Sequence, residues 1–237
     1  MKNKALPQAL MFAFFTLMLF LTCILLCAIF GQSDNEASKP ASTDRLPTVI
    51  IDAGHGGKDG GAVGIDGTLE KNLNFEISKV LCELMKISGY NVVMTRTDDT
   101  MLTTEDNIGS AKTRDLKQRL TIASRYPDGL MVSVHCNKFP SESCKGLQAY
   151  YSENELARDT AKSIQDSVTK LLQPTNHRKS KQADSSIYLL HRAVTPSVLI
   201  ECGFLSNTEE CALLNNDGYR KKLALCILSG INENYGN

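Results

Sequence analysis

The chain has 237 residues, a length that suits one sizeable folded domain with a shorter appended segment. Its 26 Lys and Arg side chains are balanced by 26 Asp and Glu side chains, and no basic block is interleaved with aromatic residues. Recognition of nucleic acid needs a concentrated positive surface, so the composition argues against a DNA- or RNA-binding protein. We therefore expect no nucleic-acid partner.

The N-terminal segment has the composition of a membrane anchor. Lys2 and Lys4 precede an almost entirely apolar stretch, residues 9–30, and acidic residues follow it. A secretory leader has an apolar core of about 7 to 15 residues, whereas a transmembrane helix needs about 20, so the length favours a retained signal anchor. The positive-inside rule then places residues 1–8 in the cytoplasm and the remainder of the chain outside the membrane. A leader cleaved near Gly31, which would release a secreted protein, remains the alternative.

A polar, serine-rich stretch, residues 31–45, predicts a flexible linker, so the folded domain is expected at 46–237. The domain contains six cysteines without any C-x-x-C spacing, namely Cys82, Cys136, Cys144, Cys202, Cys211 and Cys226. We predict neither a structural zinc knuckle nor an obligatory disulfide framework. Cys82 and Cys226 fall on apolar faces of predicted helices, where buried thiols are expected.

Within the domain, apolar runs of strand length alternate with segments of helical periodicity. Strands are expected at 48–51, 91–97, 129–137, 146–152 and 197–204, and helices at 73–84, 116–125, 157–171 and from 219 onward. Capping boxes at Ser152–Glu155 and Ser206–Glu209 predict helix starts, and residues 98–112 predict an exposed loop near the site. The alternation predicts a single three-layer α/β/α domain with a largely parallel, twisted sheet.

Side chains able to do chemistry occur at the predicted strand ends. His55, His135 and Glu201 each lie at or just beyond the carboxyl end of a strand, where parallel sheets place their sites. Glu70 begins the helix after a glycine-rich loop, so it can return to the same edge. Two histidines and one carboxylate around Zn²⁺, with a fourth position open, are typical of a catalytic zinc site. Glu201 ends an apolar run, where an ionised carboxylate is costly unless it is paired or close to a metal.

Three further signals receive no role. The loop "GHGGKDGG" lacks the G-x-x-x-x-G-K-[ST] spacing of a phosphate-binding loop, so we expect no nucleotide site. His177 lies in a basic stretch that predicts a solvated loop, and His191 lies just before the last strand. Neither histidine is assigned to the metal.

Several motifs in order resemble one family of enzymes. The segments are "IIDAGHGGKDGGAVG", "LEKNLNFEISKVL", "TRTDDT", "DLKQRLTIASRYPDGLMVSVHCN", "KGLQAYY" and "PSVLIECGFLSNTEE". Together they resemble the zinc-dependent N-acetylmuramoyl-L-alanine amidases of bacterial cell walls, the amidase-3 type. The resemblance implies that His55, Glu70 and His135 bind Zn²⁺ and that Glu201 is the catalytic glutamate.

The resemblance covers nearly the whole predicted domain, and it includes some departures. Arg119 and the segment 176–183 match family-like positions but receive no catalytic role. Gly60 replaces a frequent proline, and Asp115 and Ser124 replace the usual serine and asparagine around Arg119. None of these residues is a proposed ligand, so the departures concern loop shape and substrate fit.

The implied reaction is hydrolysis of the amide bond between N-acetylmuramic acid and the L-alanine of the peptidoglycan stem peptide, by water that zinc activates. The compact layout resembles the spore-cortex, germination-specific subgroup, whose amidase acts on the route to muramic-δ-lactam. A vegetative amidase for cell separation, a zinc peptidase acting within the stem peptide and a non-catalytic wall-binding protein remain alternatives. The expected partners are peptidoglycan, the membrane through the N-terminal helix, and an accessory envelope or spore protein that no residue identifies.

Overall fold

A computed structural model describes residues 15–18, 20–22, 46–103 and 109–235. The chain divides into two compact units, Met1–Asp44 and Arg45–Asn237. In the first unit, 15–18 and 20–22 are helical, whereas the rest of the predicted anchor, the N-terminus before it and the linker after it lie outside the described residues. Among the described residues, no helix is both long and apolar enough to cross a membrane.

The second unit contains six strands and six helices among its described residues. The strands are β1 Leu46–Ala53, β2 Tyr90–Met94, β3 Leu130–Asn137, β4 Gln148–Tyr151, β5 Lys181–Gln182 and β6 Ser197–Phe204. The helices are α1 Glu70–Ile87, α2 Ala111–Ser124, α3 Glu155–Leu171, α4 Tyr188–Arg192, α5 Thr208–Asn215 and α6 Asp217–Tyr235. Each predicted strand and helix is present, whereas the short β5 and α4 were not predicted. The predicted loop at 98–112 ends two residues early, because α2 begins at Ala111.

The strands form one sheet in the order β2-β1-β3-β6-β4-β5. The four strands from β2 to β6 in that order are parallel, β4 runs antiparallel to β6, and β5 runs parallel to β4. The prediction of a largely parallel sheet is therefore confirmed, with β4 as the reversed strand. The central strands β1, β3 and β6 place their carboxyl ends side by side.

Both faces of the sheet are covered. Along each central strand, alternate residues enter different apolar clusters, as Val49 and Ile50 do on β1. One cluster packs against α1, α3, α5 and α6, and the other packs against α2 and α4. Because a strand covered on both faces needs apolar residues at successive positions, β1, β3 and β6 read as continuous apolar runs. The three-layer prediction is confirmed.

Both predicted capping boxes are wrong about the residue that caps the helix. Asn154 caps α3 by accepting a hydrogen bond from the Ala157 amide, and Asn207 caps α5 in the same way. The two serine hydroxyls accept hydrogen bonds from other amides. Ser152 Oγ accepts from the Ser197 amide, and Ser206 Oγ accepts from the Phe139 amide in the loop after β3. Tertiary contacts therefore occupy the hydroxyls that local sequence assigned to the caps.

All six cysteines of the domain carry free thiols. Cys82 and Cys226 are buried on α1 and α6, as their apolar spacing predicted, and only Cys144 among the six is half-exposed.

Candidate metal centre

The candidate centre lies at the carboxyl edge of the three central strands. His55 follows β1 by two residues, and His135 lies near the end of β3. His135 is the register partner of Glu201 on β6. Residues far apart in sequence meet here because parallel strands in register end together.

The three predicted ligands are brought together. One ligand atom from each of His55, Glu70 and His135 lies within 4.8 Å of the other two. Glu70 stands between the rings, with its Oε2 3.2 Å from His55 Nε2 and its Oε1 2.9 Å from His135 Nδ1. The ring centroids of the two histidines are 5.0 Å apart.

The glycine-rich loop permits this close approach. A Cβ on Gly54 would overlap the His135 imidazole, and a Cβ on Gly61 would come within 2.5 Å of Glu70 Oε2. Gly61 also has a φ of 67°, which favours glycine. His55 has a φ of 61° and is the one non-glycine residue with positive φ in the described part of the chain. At Gly54 and Gly61 the ligand side chains occupy the space that a side chain would need, whereas at Gly56 and Gly57 the backbone of Thr100 and Met101 occupies it.

Backbone and side-chain donors fix the Glu70 carboxylate. The amide of Ala62 donates to Oε2 at 2.8 Å, and Asn74 Nδ2 and the Cys136 amide donate to Oε1 at 3.1 and 3.2 Å. Burial alone would raise the pKa of Glu70, but the two neighbouring histidines hold it far below its usual range. Glu70 therefore stays ionised, as a metal-binding carboxylate must.

A second carboxylate orients the first histidine. Asp59 Oδ2 lies 2.8 Å from His55 Nδ1, on the side of the ring opposite Glu70. Burial lowers the pKa of His55, but hydrogen bonds and charge from Glu70 and Asp59 outweigh it and raise the pKa. A carboxylate on the second nitrogen is the common way to fix the tautomer of a metal-binding histidine.

Glu201 differs from Glu70 in its surroundings. Its Oε2 is buried and has no hydrogen-bond partner among the described residues. Burial raises the pKa of Glu201 to about 7, and the charge of Glu70 adds to this rise while His135 and His55 oppose it. A carboxyl group with a pKa near neutrality can both accept and donate a proton.

Comparison with known proteins identifies the family. The family model for N-acetylmuramoyl-L-alanine amidase matches residues 49–233, a range that includes the ligand cluster and Glu201. The chain belongs to this amidase family.

Individual relatives agree with the family match. The amidase is 38% identical over 206 residues to the germination-specific N-acetylmuramoyl-L-alanine amidase of Bacillus subtilis, with 84% of each chain covered. The structure of the CwlD amidase from Clostridioides difficile, in complex with the GerS lipoprotein, has 40% identity and a TM-score of 0.74, covering 79% of this chain and 97% of that one. AmiC2 of Nostoc punctiforme has 28% identity and a TM-score of 0.68, and the match covers 79% of this chain and 96% of that one. The predicted enzyme class, a peptidoglycan amidase, is confirmed.

The donor set of the amidase fits a zinc ion. Two imidazoles and one carboxylate are the ligands found in catalytic zinc sites, which leave a further position for water or substrate. Each donor faces the same small volume, and His55 and Glu70 have additional hydrogen bonds that hold them there. The buried, unpartnered Oε2 of Glu201 next to His135 is also consistent with a nearby cation.

A cavity of about 180 Å³ opens beside His55 and His135. Its other walls come from α2 and from the segment that begins α4, including Leu116 and Ile187. Sites for whole small molecules are usually about 300–1,000 Å³, so this space suits one part of a larger substrate.

The remaining sequence signals are not part of the ligand cluster. His177 and His191 are exposed. Segment 176–183 contributes the edge strand β5, and Arg178 within it donates to Gln148 Oε1 at 3.0 Å. These residues supply no ligand atom to the cluster.

Three supporting residues were missed in the sequence. Asp59 follows His55 by four residues in an irregular loop, where spacing has no structural meaning. Asn74 follows Glu70 by four residues on α1, a helical spacing that could have revealed it. Arg96, two residues after β2, donates to the carbonyls of Ala53 and Gly54 at 2.9 and 3.3 Å.

Proposed function

We propose that the chain hydrolyses the amide bond between the lactyl group of N-acetylmuramic acid and L-alanine, with Zn²⁺ held by His55, Glu70 and His135. The convergence of these three ligands beside Glu201 is the observation that carries the proposal. Zn²⁺ supplies Lewis acidity: it polarises a carbonyl oxygen and lowers the pKa of water toward about 7.

Glu201 is the proposed general base and acid. It takes a proton from the attacking water, whose oxygen becomes part of the new lactyl carboxylate, and then gives that proton to the departing amine of L-alanine. General acid–base catalysis of this kind contributes about 10²- to 10⁴-fold to rate. The unpartnered Oε2 supports the assignment, since no hydrogen bond among the described residues has to break before the proton moves. The products are a peptide-free glycan and a free stem peptide.

Digestion of purified sacculi by the full-length protein tests the reaction. We expect mass spectrometry to find muramic acid that has lost its whole stem peptide, with stoichiometric zinc in the enzyme. The Glu201→Gln variant serves as the inactive control. Shortened peptides still attached to muramic acid would indicate a zinc peptidase instead, and unchanged sacculi would indicate a non-catalytic wall-binding protein.

We assign the activity to the spore cortex, on the route to muramic-δ-lactam. Similarity to a relative named for germination supports this assignment. Replacing the chromosomal copy with Glu201→Gln in the producing bacterium should yield spores whose cortex lacks the lactam. Normal cortex together with chains of unseparated vegetative cells would favour the vegetative alternative.

We further propose that the N-terminal segment anchors the enzyme in the membrane, with the domain outside. Its substrate is extracytoplasmic, and the described helical residues expose Phe15, Leu17 and Phe20. Fractionation of cells tests this: the full-length chain should remain with membranes after washing in high salt. An accessory envelope protein is a further proposed partner, supported by the similar amidase solved with a lipoprotein.

A further inference from the structure

Arg119 is a buried arginine that makes hydrogen bonds to two carboxylates and also to two backbone carbonyls. It lies on α2 and is 1% exposed. Nε and Nη2 donate to the two oxygens of Asp115 at 2.7 and 3.2 Å, and Nη1 donates to Asp52 Oδ1 at 2.5 Å. Nη1 also donates to the Ala53 carbonyl and Nη2 to the His55 carbonyl, both at 2.8 Å. These five bonds use all five N–H donors of a guanidinium.

The bond to His55 reaches a strained part of the backbone. His55 has a φ of 61°, a conformation that costs a non-glycine residue on the order of 1 kcal/mol or more and persists only where surrounding contacts impose it. The His55 carbonyl is held by Arg119, and its ring is held by Asp59. Besides its contact with Glu70, the direction of the imidazole therefore depends on one contact to the backbone and one to the ring.

Asp115 braces the guanidinium from the other side. Its Oδ1 also accepts a hydrogen bond from the Leu102 amide at 2.8 Å, so the same carboxylate fixes the loop that follows β2. Asp52 is fully buried on β1 and accepts from Ser133 and Thr95 as well. Arg119 thus lies between two carboxylates that other hydrogen bonds hold in place, and these carboxylates set the plane of its guanidinium group.

We propose that Arg119 is a positioning residue for the metal centre: it fixes the His55 carbonyl and thereby aims the imidazole at the cation that Glu70 and His135 share with it. The proposal rests on the zinc centre proposed above. A lysine keeps the positive charge but has a single nitrogen, which cannot serve two carboxylates and two carbonyls at once. A positive charge alone therefore cannot replace the hydrogen bonds of the guanidinium group.

The test compares full-length wild type with Arg119→Lys. Zinc affinity, measured by competition with a chromophoric chelator, should fall about 10- to 100-fold, the usual effect of losing a contact that orients a metal ligand. The visible absorption of the Co²⁺-loaded protein should also change, because this absorption reports ligand geometry. The unfolding temperature of the metal-free protein is recorded in parallel, so that general destabilisation is measured separately.

Arg220→Lys is the matched control. Arg220 is a largely buried arginine on α6 that donates to the Leu214 carbonyl at 3.0 Å and pairs with Asp217. Its substitution should leave the zinc affinity and the Co²⁺ spectrum unchanged.

Unchanged zinc affinity and an unchanged Co²⁺ spectrum in Arg119→Lys would overturn the proposal and leave Arg119 as a stabilising residue only. If that variant does not fold, Asp115→Asn replaces it, since it keeps Arg119 but removes the charged acceptor of Nε and Nη2, so the guanidinium is no longer held in the plane that directs Nη2 to the His55 carbonyl. It should lower zinc affinity by a smaller factor, and no change there would equally overturn the proposal. Absence of zinc binding in the wild type would contradict the zinc centre itself, so the two failures are distinguishable.

Discussion

Glu70 and Glu201 lie at the same edge of the sheet, and their surroundings are opposite. Glu70 accepts three hydrogen bonds, from Ala62, Asn74 and Cys136, and faces two histidines, so its pKa falls far below the usual range. Glu201 has an unpartnered buried oxygen, and its pKa rises to about 7. The comparison shows how one site can shift the pKa values of two neighbouring carboxylates in opposite directions.

The difference comes from donors rather than from depth. Burial by itself raises the pKa of both carboxylates. The imidazoles of His55 and His135 favour the ionised form of both carboxylates, but only Glu70 makes hydrogen bonds to the two rings and also accepts hydrogen bonds from N–H donors. We call Glu70, His55 and His135 together the Glu70 side. A cation at the cluster would lower the pKa of Glu201 as well, yet it would leave the hydrogen-bonding contrast intact.

Removing a ligand should produce the largest effect on the Glu70 side. His135→Ala is expected to lose both zinc and turnover, because two remaining ligands hold the metal too weakly. Metal content by mass spectrometry and release of stem peptide from sacculi are the measurements. The control is His191→Ala, an exposed histidine away from the cluster, which should keep both. Retention of zinc and activity in His135→Ala would show that the cluster is not the metal site.

The Glu201→Gln substitution should separate turnover from zinc binding. We expect turnover to fall about 10²- to 10⁴-fold, since the amide cannot accept and return a proton. Zinc content should stay stoichiometric because Glu201 is not among the ligands of the cluster. Loss of zinc together with activity would instead place Glu201 in the coordination shell and remove the proposed division of roles.

The strand ends made the cluster predictable from sequence. His55, His135 and Glu201 lie at the ends of apolar runs that are typical of parallel strands buried on both faces, and such strands end together. Glu70 was predictable because it begins the next helix. The resemblance already assigned Glu70 to the metal and Glu201 to catalysis, but the sequence did not show the hydrogen-bond donors that surround Glu70 and are missing at Glu201 Oε2.

Contacts across the fold were not predictable. The serines expected to cap α3 and α5 bind distant amides instead, and Asn154 and Asn207 take their place. Asp115, noted only as a departure from the family pattern, braces Arg119 and holds the Leu102 amide. Polar partners of this kind depend on which segments meet in three dimensions, and periodicity carries no information about them.

Substituting Asp59, which contacts the His55 ring, should weaken zinc binding less than removing a ligand does. Asp59→Asn keeps the size of the side chain but removes the charge that orients the His55 ring. Zinc affinity should fall about 10- to 100-fold without abolishing binding, as for other carboxylates that support metal-binding histidines. Chelator competition measures the change. Asp166→Asn, at an exposed ion pair on α3, should have no effect. Equal zinc affinity in both variants would mean that the ring needs no such partner.

The smallest expected effect on the metal centre comes from Ser133 on β3, because its substitution acts on stability. Ser133 Oγ donates to the buried Asp52 Oδ2 at 2.6 Å, so Ser133→Ala should lower the free energy of unfolding by about 1.5–3 kcal/mol near neutral pH. Burial raises the pKa of Asp52, but Arg119, Ser133 and Thr95 together lower it below the ordinary value of 3.8.

The sign of the pH dependence follows from that lowered pKa. The stabilisation is fully present above the pKa of Asp52 in the unfolded chain, and it is lost as pH falls through the lower pKa of the folded state. Without the hydroxyl, the folded-state pKa of Asp52 lies closer to the ordinary value of 3.8, so the difference between wild type and Ser133→Ala should narrow below about pH 4. Urea unfolding of metal-free protein at several pH values measures this, with the exposed Ser124→Ala as the control. A difference that stays constant into acid would mean that the hydroxyl stabilises the fold without acting on the Asp52 charge.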